Sequence, residues 1–197
     1  MFFKNAGFGL IAAAVLLSGC ATKGSWMGAD AEKKYDTELA ATRLAESRNN
    51  DDYYEIHQDG RIYVLADLKT YQAWLKTGEI PKMVTKIGAG PKGETLKIAL
   101  TSNESKAMET KVGFKGGAEN LYDNKVDGLE KGFFGFVLLD SDYVVFSNWK
   151  QLDAYRKSGS VPAGAEKLAG SGPNGANVVY VGKTDDMVAK FKSANNL

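Results

Sequence analysis

Two stretches of this chain, residues 53 to 100 and 134 to 182, read as one pattern written twice. Internal repetition on this scale constrains architecture more than any single motif, because each copy must make the same local structure. At an offset of 81, Asp59, Val64, Lys69, Ala73, Lys76, Gly78 and Pro81 meet Asp140, Val145, Lys150, Ala154, Lys157, Gly159 and Pro162. These are seven identities among the 29 positions from Tyr53 to Pro81. Physical roles match more widely. Arg61–Leu65 and Asp142–Phe146 are rich in β-branched and aromatic residues, which predicts strands. Asp67 and Asn148 then hold equivalent places, and both are favoured helix N-caps.

The predicted helices after these caps share a face. Leu68, Tyr71, Trp74 and Leu75 recur at helical spacing, and Trp149, Leu152 and Tyr155 take the first three of those positions. Lys76-Thr77-Gly78 and Lys157-Ser158-Gly159 place a cation in the last turn and Gly just beyond it, a helix stop. Pro81 and Pro162 prevent continuation. The Gly-rich stretches Gly88–Gly93 and Gly170–Gly175 follow, with Ala169 as the one inserted residue, and lead into strands over Thr95–Leu100 and Asn177–Val181. Before each helix, Tyr54–His57 and Phe136–Leu139 predict a further strand, turned back through Asp59-Gly60 or Asp140-Ser141 as a hairpin.

The expected fold class is therefore α+β. Two tandem strand-strand-helix-strand repeats form one pseudo-twofold domain with a mainly antiparallel sheet, since a single unit of about 50 residues is small for a stable core. Residues 101 to 133 connect the repeats, with a short helix over Met108–Phe114, a break at Gly116-Gly117 and another turn from Leu121. Residues 183 to 197 form a C-terminal helix or tail, capped by Thr184.

The beginning of the chain carries a different kind of information. Residues 1 to 19 have a short n-region charged only at Lys4 and an apolar run from Phe8 to Leu17, the layout of an export signal. That run is short for a transmembrane helix, which needs about 20 apolar residues. It ends in Leu17-Ser18-Gly19-Cys20, which resembles the lipobox of bacterial lipoprotein precursors. The resemblance covers the signal and its cleavage site alone. It implies that Cys20, the chain's only cysteine, is acylated (diacylglyceryl on sulfur, an acyl chain such as palmitate on the freed amine) and becomes the first mature residue. Several acyl chains anchor far more firmly than one. Ala21 in place of Asp after the Cys implies sorting to the outer membrane, with the periplasmic or surface side left open. Residues 20 to 52 then read as a lipidated cysteine and a polar, partly helical tether. Ala31–Glu46 in it is rich in helix formers and follows Asp30 as a cap.

Composition excludes several classes. Lys and Arg number 25 against 24 Asp and Glu, and loss of Lys4 with the signal leaves an even balance. Neither nucleic acid nor acidic lipid is an expected electrostatic partner. One His excludes a multi-histidine metal site, and one Cys excludes an intrachain disulfide. No cofactor and no metal are expected.

Candidate ligand-binding residues are few. Amides of a Gly-rich turn can cradle an anion, which nominates Lys92. A phosphate loop, however, leads from strand into helix, whereas this one leads into a strand, and Asn174 replaces Lys92 in the second copy. Glu55, His57 and Asp59 alternate on one strand, so His57 heads an acid–base candidate, against the plainer reading of a polar outward edge. Tyr54 and Trp149, with Tyr53, Tyr63, Phe133 and Phe134, make either a glycan or peptide platform or simply core, and core is favoured. Asp123, Asp127 and Gly128 have part of the spacing of a calcium loop, but Lys125 and Phe134 stand where ligands belong.

These residues support an outer-membrane-anchored envelope lipoprotein acting as a non-catalytic binding or assembly module, with an envelope protein, a glycan or a second copy as partner. The alternatives are an enzyme acting on a cell-wall polymer through carboxylates or His57, and a small-ligand carrier with its pocket at the repeat seam. Cys20→Ser is expected to abolish acylation, because the thiol is the acylated atom. Metabolic labelling with an alkyne fatty acid checks this, and undiminished label on the variant overturns it.

Overall fold

The computed structural model describes residues 49–197. The signal segment, Cys20 and the tether up to residue 48 lie outside the described residues. The elements run β1 (Asp52–Gln58), β2 (Arg61–Leu65), α1 (Leu68–Thr77), β3 (Met83–Lys86), β4 (Thr95–Ala99), α2 (Ser102–Thr110), α3 (Gly117–Tyr122), β5 (Phe134–Leu139), β6 (Asp142–Phe146), α4 (Trp149–Ser158), β7 (Glu166–Leu168), β8 (Asn177–Val181) and α5 (Asp185–Asn195). The eight strands form one sheet in the order β3-β4-β2-β1-β5-β6-β8-β7. Four neighbouring pairs, β1–β2, β3–β4, β5–β6 and β7–β8, are antiparallel. The pairs β1–β5, β2–β4 and β6–β8 are parallel. Helices and strands are mixed in one fold around a mostly antiparallel eight-stranded sheet, in line with the expected α+β class and mainly antiparallel sheet.

The hairpins form at the expected turns. Asp59 and Gly60 have φ of 50° and 69°, and Asp140 and Ser141 have 51° and 74°. Two successive positive φ angles are what a two-residue primed turn requires. Corresponding residues then make corresponding bonds. Gly60 O accepts from Thr95 N at 3.1 Å, and Ser141 O accepts from Asn177 N at 3.1 Å. Asp67 caps α1 by accepting from Thr70 N, Asn148 caps α4 by accepting from Gln151 N, and Gly78 and Gly159 end the helices at φ of 69° and 68°.

Each unit has one more strand than its sequence pattern predicts. β3 and β7 lie between the helix and the last strand, and each is an edge of the sheet. Both are short, four and three residues, too few to show the apolar alternation that marks a half-buried strand. The tether also ends earlier than residue 52. Asn50 is buried, its Nδ2 donates to Asp127 O at 2.7 Å, and β1 begins at Asp52. The connector helix lies upstream of its expected place, over Ser102–Thr110, because Thr101 and Glu104 make a capping box. Thr184 caps α5 as expected, by accepting from Met187 N.

Two hydrophobic cores flank the sheet. One joins Tyr53, Ile62, Val64, Val137, Val144 and Val179 to residues of α3 and α4. The other joins Tyr54, Ile56, Tyr63, Leu65, Phe136 and Val145 to residues of α1 and α5. Alternation along each strand sends successive side chains to opposite cores, so the central strands are apolar on both faces. Removing either α1 or α4 cap is expected to destabilise the fold. Asp67→Ala and Asn148→Ala should each cost about 0.5–2 kcal/mol in urea or thermal unfolding. Unchanged stability in both variants overturns the assignment.

Candidate functional site

The candidates from sequence do not come together as one group. Tyr54 is 1% exposed and Trp149 is 4% exposed. Tyr54 stacks on Tyr71 with ring centroids 4.7 Å apart, on the core beneath α1. Trp149 meets Tyr53 and Phe133 edge-on at 5.5 and 5.6 Å, on the opposite core. Tyr53, Tyr63, Phe133 and Phe134 are buried as well. Tyr54 and Trp149 therefore pack into opposite cores, Tyr54 carried by β1 and Trp149 by the first turn of α4, where it also borders a cleft.

Lys92 is exposed in the turn before β4. The amides of that turn already have acceptors within the chain. Lys92 N donates to Glu94 Oε2 at 2.7 Å, Gly90 N to Glu94 O at 2.9 Å, and Gly93 N to Gly90 O at 3.0 Å. The Glu94 amide itself, and then that of Lys92, hold the Glu94 carboxyl below its usual pKa range. The chain's own carboxylate thus takes the place an anion would take. In the second copy Gly172 N donates to Ala176 O at 2.9 Å, and Asn177 Oδ1 accepts from Gly170 N.

His57 has the most developed surroundings. β1 points Tyr53, Glu55 and His57 to the face covered by α3 and α4. Glu55 is buried, and its Oε1 lies 2.7 Å from His57 Nε2. Its Oε2 accepts from Tyr53 Oη at 2.5 Å and from Arg156 Nε on α4 at 2.8 Å. Arg156 Nη2 donates to Tyr122 O at 3.2 Å. The guanidinium also lies over the Tyr53 and Tyr122 rings, 5.2 and 4.6 Å from their centroids. Asp59, the third member of the expected trio, is in the hairpin turn and exposed. Glu55 and His57 are therefore joined as alternation predicts, and Asp59 is not. Arg156 and Tyr122 were not legible as members, because they lie 101 and 67 residues from Glu55. The one available signal is the mismatch between copies, where Glu55 and Arg156 stand opposite Phe136 and Leu75.

Burial alone would raise the Glu55 pKa. The hydrogen bond from His57, the Arg156 charge and the Tyr53 hydroxyl outweigh it and hold the carboxyl below its usual range. Asp52, at the start of β1, behaves oppositely. Burial and the neighbouring Asp51 raise its pKa to about 6, against a hydrogen bond from Tyr54 and the charge of Lys190. Asp123 pairs with Lys115 Nζ at 2.7 Å, and Asp127 Oδ1 accepts from Trp149 Nε1 at 3.1 Å. Both are thus engaged in local structure. Among the described residues no group of three or more His, Cys, Asp or Glu is placed to hold a metal ion.

Two clefts of about 350 Å³ open at helix starts. One is lined by Asp127, Leu129, Glu130, Asn148, Trp149 and Lys150, and the other includes Asp67, Lys69, Thr70, Lys82, Thr101 and Ser102. The junction between the two units holds direct β1–β5 pairing, with Tyr54 opposite Phe136 and Tyr53 opposite Gly135. A Cβ on Gly135 would lie 2.6 Å from Tyr53 O and 2.9 Å from Leu152 Cδ1, so the strands close on each other there. No family model matches this chain, and no curated protein or solved structure matches it either.

The two carboxylates set opposite pH dependences. Glu55 is depressed, so its ion pair stabilises above about pH 4.5 and is lost as pH falls through the folded-state value. Asp52 is raised, so the folded chain binds the extra proton and stability falls as pH rises from about 4 to 6. Asp52→Asn is expected to remove that fall in a thermal-unfolding pH series. Glu55→Gln leaves Arg156 without its counter-charge and should cost about 3–5 kcal/mol at neutral pH. A Glu55→Gln variant as stable as wild type overturns the assignment.

Proposed function

We propose that this chain is an outer-membrane-anchored envelope lipoprotein that works as a non-catalytic binding or assembly module. The observation that carries the reading is how the polar and apolar groups are distributed. The one imidazole is bonded to Glu55, whose other oxygen is taken by Tyr53 and Arg156, so the groups suited to acid–base work are engaged with one another. The unengaged features are of another kind. β3 is an unpaired sheet edge, with Met83 on it 37% exposed and Ile87 just past it 87% exposed. Unpaired edges and exposed apolar side chains are how strand-mediated recognition is built.

The lipobox-like Leu17-Ser18-Gly19-Cys20 supports membrane anchoring, and the even charge balance supports a partner recognised by shape and hydrogen bonding over bulk electrostatics. An envelope protein or a glycan fits that description, and nucleic acid does not. In a deletion strain, His57→Ala is expected to complement nearly as well as wild type, while Ile87→Lys should weaken partner capture. Complete loss of complementation by a folded, lipidated His57→Ala chain would overturn the binding reading and make the Glu55–His57 pair the leading catalytic candidate.

A further inference from the structure

We propose that the β3 edge pairs with the β3 edge of a second copy, antiparallel and centred on Thr85, joining two eight-stranded sheets into one. This deepens the binding-module reading and rests on it. The backbone pattern defines which groups face outward. β3 is antiparallel to β4, with Val84 opposite Ile98 and Lys86 opposite Leu96. Leu100 N donates to Lys82 O at 2.9 Å, which marks Lys82 as a residue bonded toward β4. Hydrogen bonding alternates along an antiparallel pair, so Val84 and Lys86 also bond inward, and Met83 and Thr85 turn their amide and carbonyl groups out. Ile87 is the first residue past the strand, in the turn that follows it.

The side chains agree with a symmetric partner. Pairing about Thr85 sets Thr85 opposite Thr85, and sets Met83 of each copy opposite Ile87 of the other. Met83 and Ile87 are the two exposed large apolar residues of this edge, and the pairing covers both. The same register places Lys86 opposite Val84, so no like charges meet across the junction. Lysines on an edge usually guard it against pairing. Here both are drawn back into their own chain. Lys86 Nζ reaches Glu119 Oε1 at 2.9 Å, and Lys82 Nζ reaches Ser102 Oγ at 3.2 Å. The opposite edge lacks this self-complementarity. β7 has three residues, Glu166, Lys167 and Leu168, and its two charged side chains pair with Lys183 and Asp142. An edge-to-edge contact is small, and confinement of anchored chains to one surface raises their effective concentration for it.

The test uses the full chain expressed in its membrane, with a single new thiol. Directly opposite, hydrogen-bonded residues have Cα atoms about 5.5 Å apart, within disulfide range. Thr85→Cys is therefore expected to give a covalent species of twice the chain mass on mild oxidation, well above the wild-type background, since the acylated Cys20 sulfur offers no free thiol. Met83→Cys alone should stay near background, and co-expressed Met83→Cys and Ile87→Cys chains should crosslink to each other. Thr110→Cys, on an exposed helix end, should stay near background. Absence of the Thr85→Cys dimer, equal crosslinking at Thr110→Cys, or a product containing a different protein would each overturn the second-copy proposal. None of those results bears on His57→Ala complementation, so failure here is separate from failure of the binding reading.

Discussion

The direct pairing of β1 with β5 is the contact on which the remaining architecture depends. It joins the two units side by side and parallel, and it places both strands in the middle of an eight-stranded sheet. A strand in that position has no solvent face, so both of its faces must be covered. The chain meets this demand by sending α1 and α5 to one face and α3 and α4 to the other. Gly135 is required at the junction, because a side chain there would run into the Tyr53 carbonyl and Leu152. The aromatic content then follows from geometry. A two-sided sheet needs large side chains on successive residues, and Tyr53 with Tyr54, or Phe133 with Phe134, are neighbours that fill opposite cores.

Burial of Glu55 is the one polar exception within that centre. A lone carboxylate there would be expensive, and the fold supplies Arg156, Tyr53 and His57 to satisfy both oxygens. Arg156 itself lies over two tyrosine rings, which suits a planar guanidinium better than an ammonium. The pair links β1 to α4, and so ties the first unit to the helix of the second. The cluster thus has a structural role in holding α4 on the sheet. That role also explains why the Glu55–His57 pair resembles part of a catalytic array: a carboxylate that orients an imidazole is the same geometry whether it serves packing or chemistry.

The edges present the opposite situation. β3 and β7 terminate the sheet with short strands that each carry a lysine, and short charged edges are how proteins avoid indiscriminate pairing. On β3 that protection is incomplete, because its lysines point to Glu119 and Ser102 while Met83 and Ile87 remain exposed. The exposed apolar groups and the outward-facing amides are on the same short stretch, and it is this coincidence that the second-copy proposal draws on.

How much of this was legible in the chain itself depends on the range of the interaction. The hairpins, both helix caps, both Gly stops and the strand character of β2, β4, β6 and β8 are local properties. Each is decided within about four residues by turn chemistry, capping and alternation, so Asp59-Gly60, Asp67, Gly78 and their counterparts could be read directly. The short edge strands could not be, because Met83–Lys86 and Glu166–Leu168 become strands only when β4 and β8 offer backbone groups to pair with. Nor could the parallel alignment of β1 with β5, since an alternating pattern gives no direction to a pairing partner. The Glu55–His57 contact follows from strand alternation, but its completion by Arg156 spans 101 residues and needs α4 packed on the sheet. Sequence alone therefore determined the local units, their order and their apolar faces. Tertiary structure decided which faces meet, which aromatic rings enter which core, and which strands form the sheet edges, because these depend on contacts between residues distant in the chain.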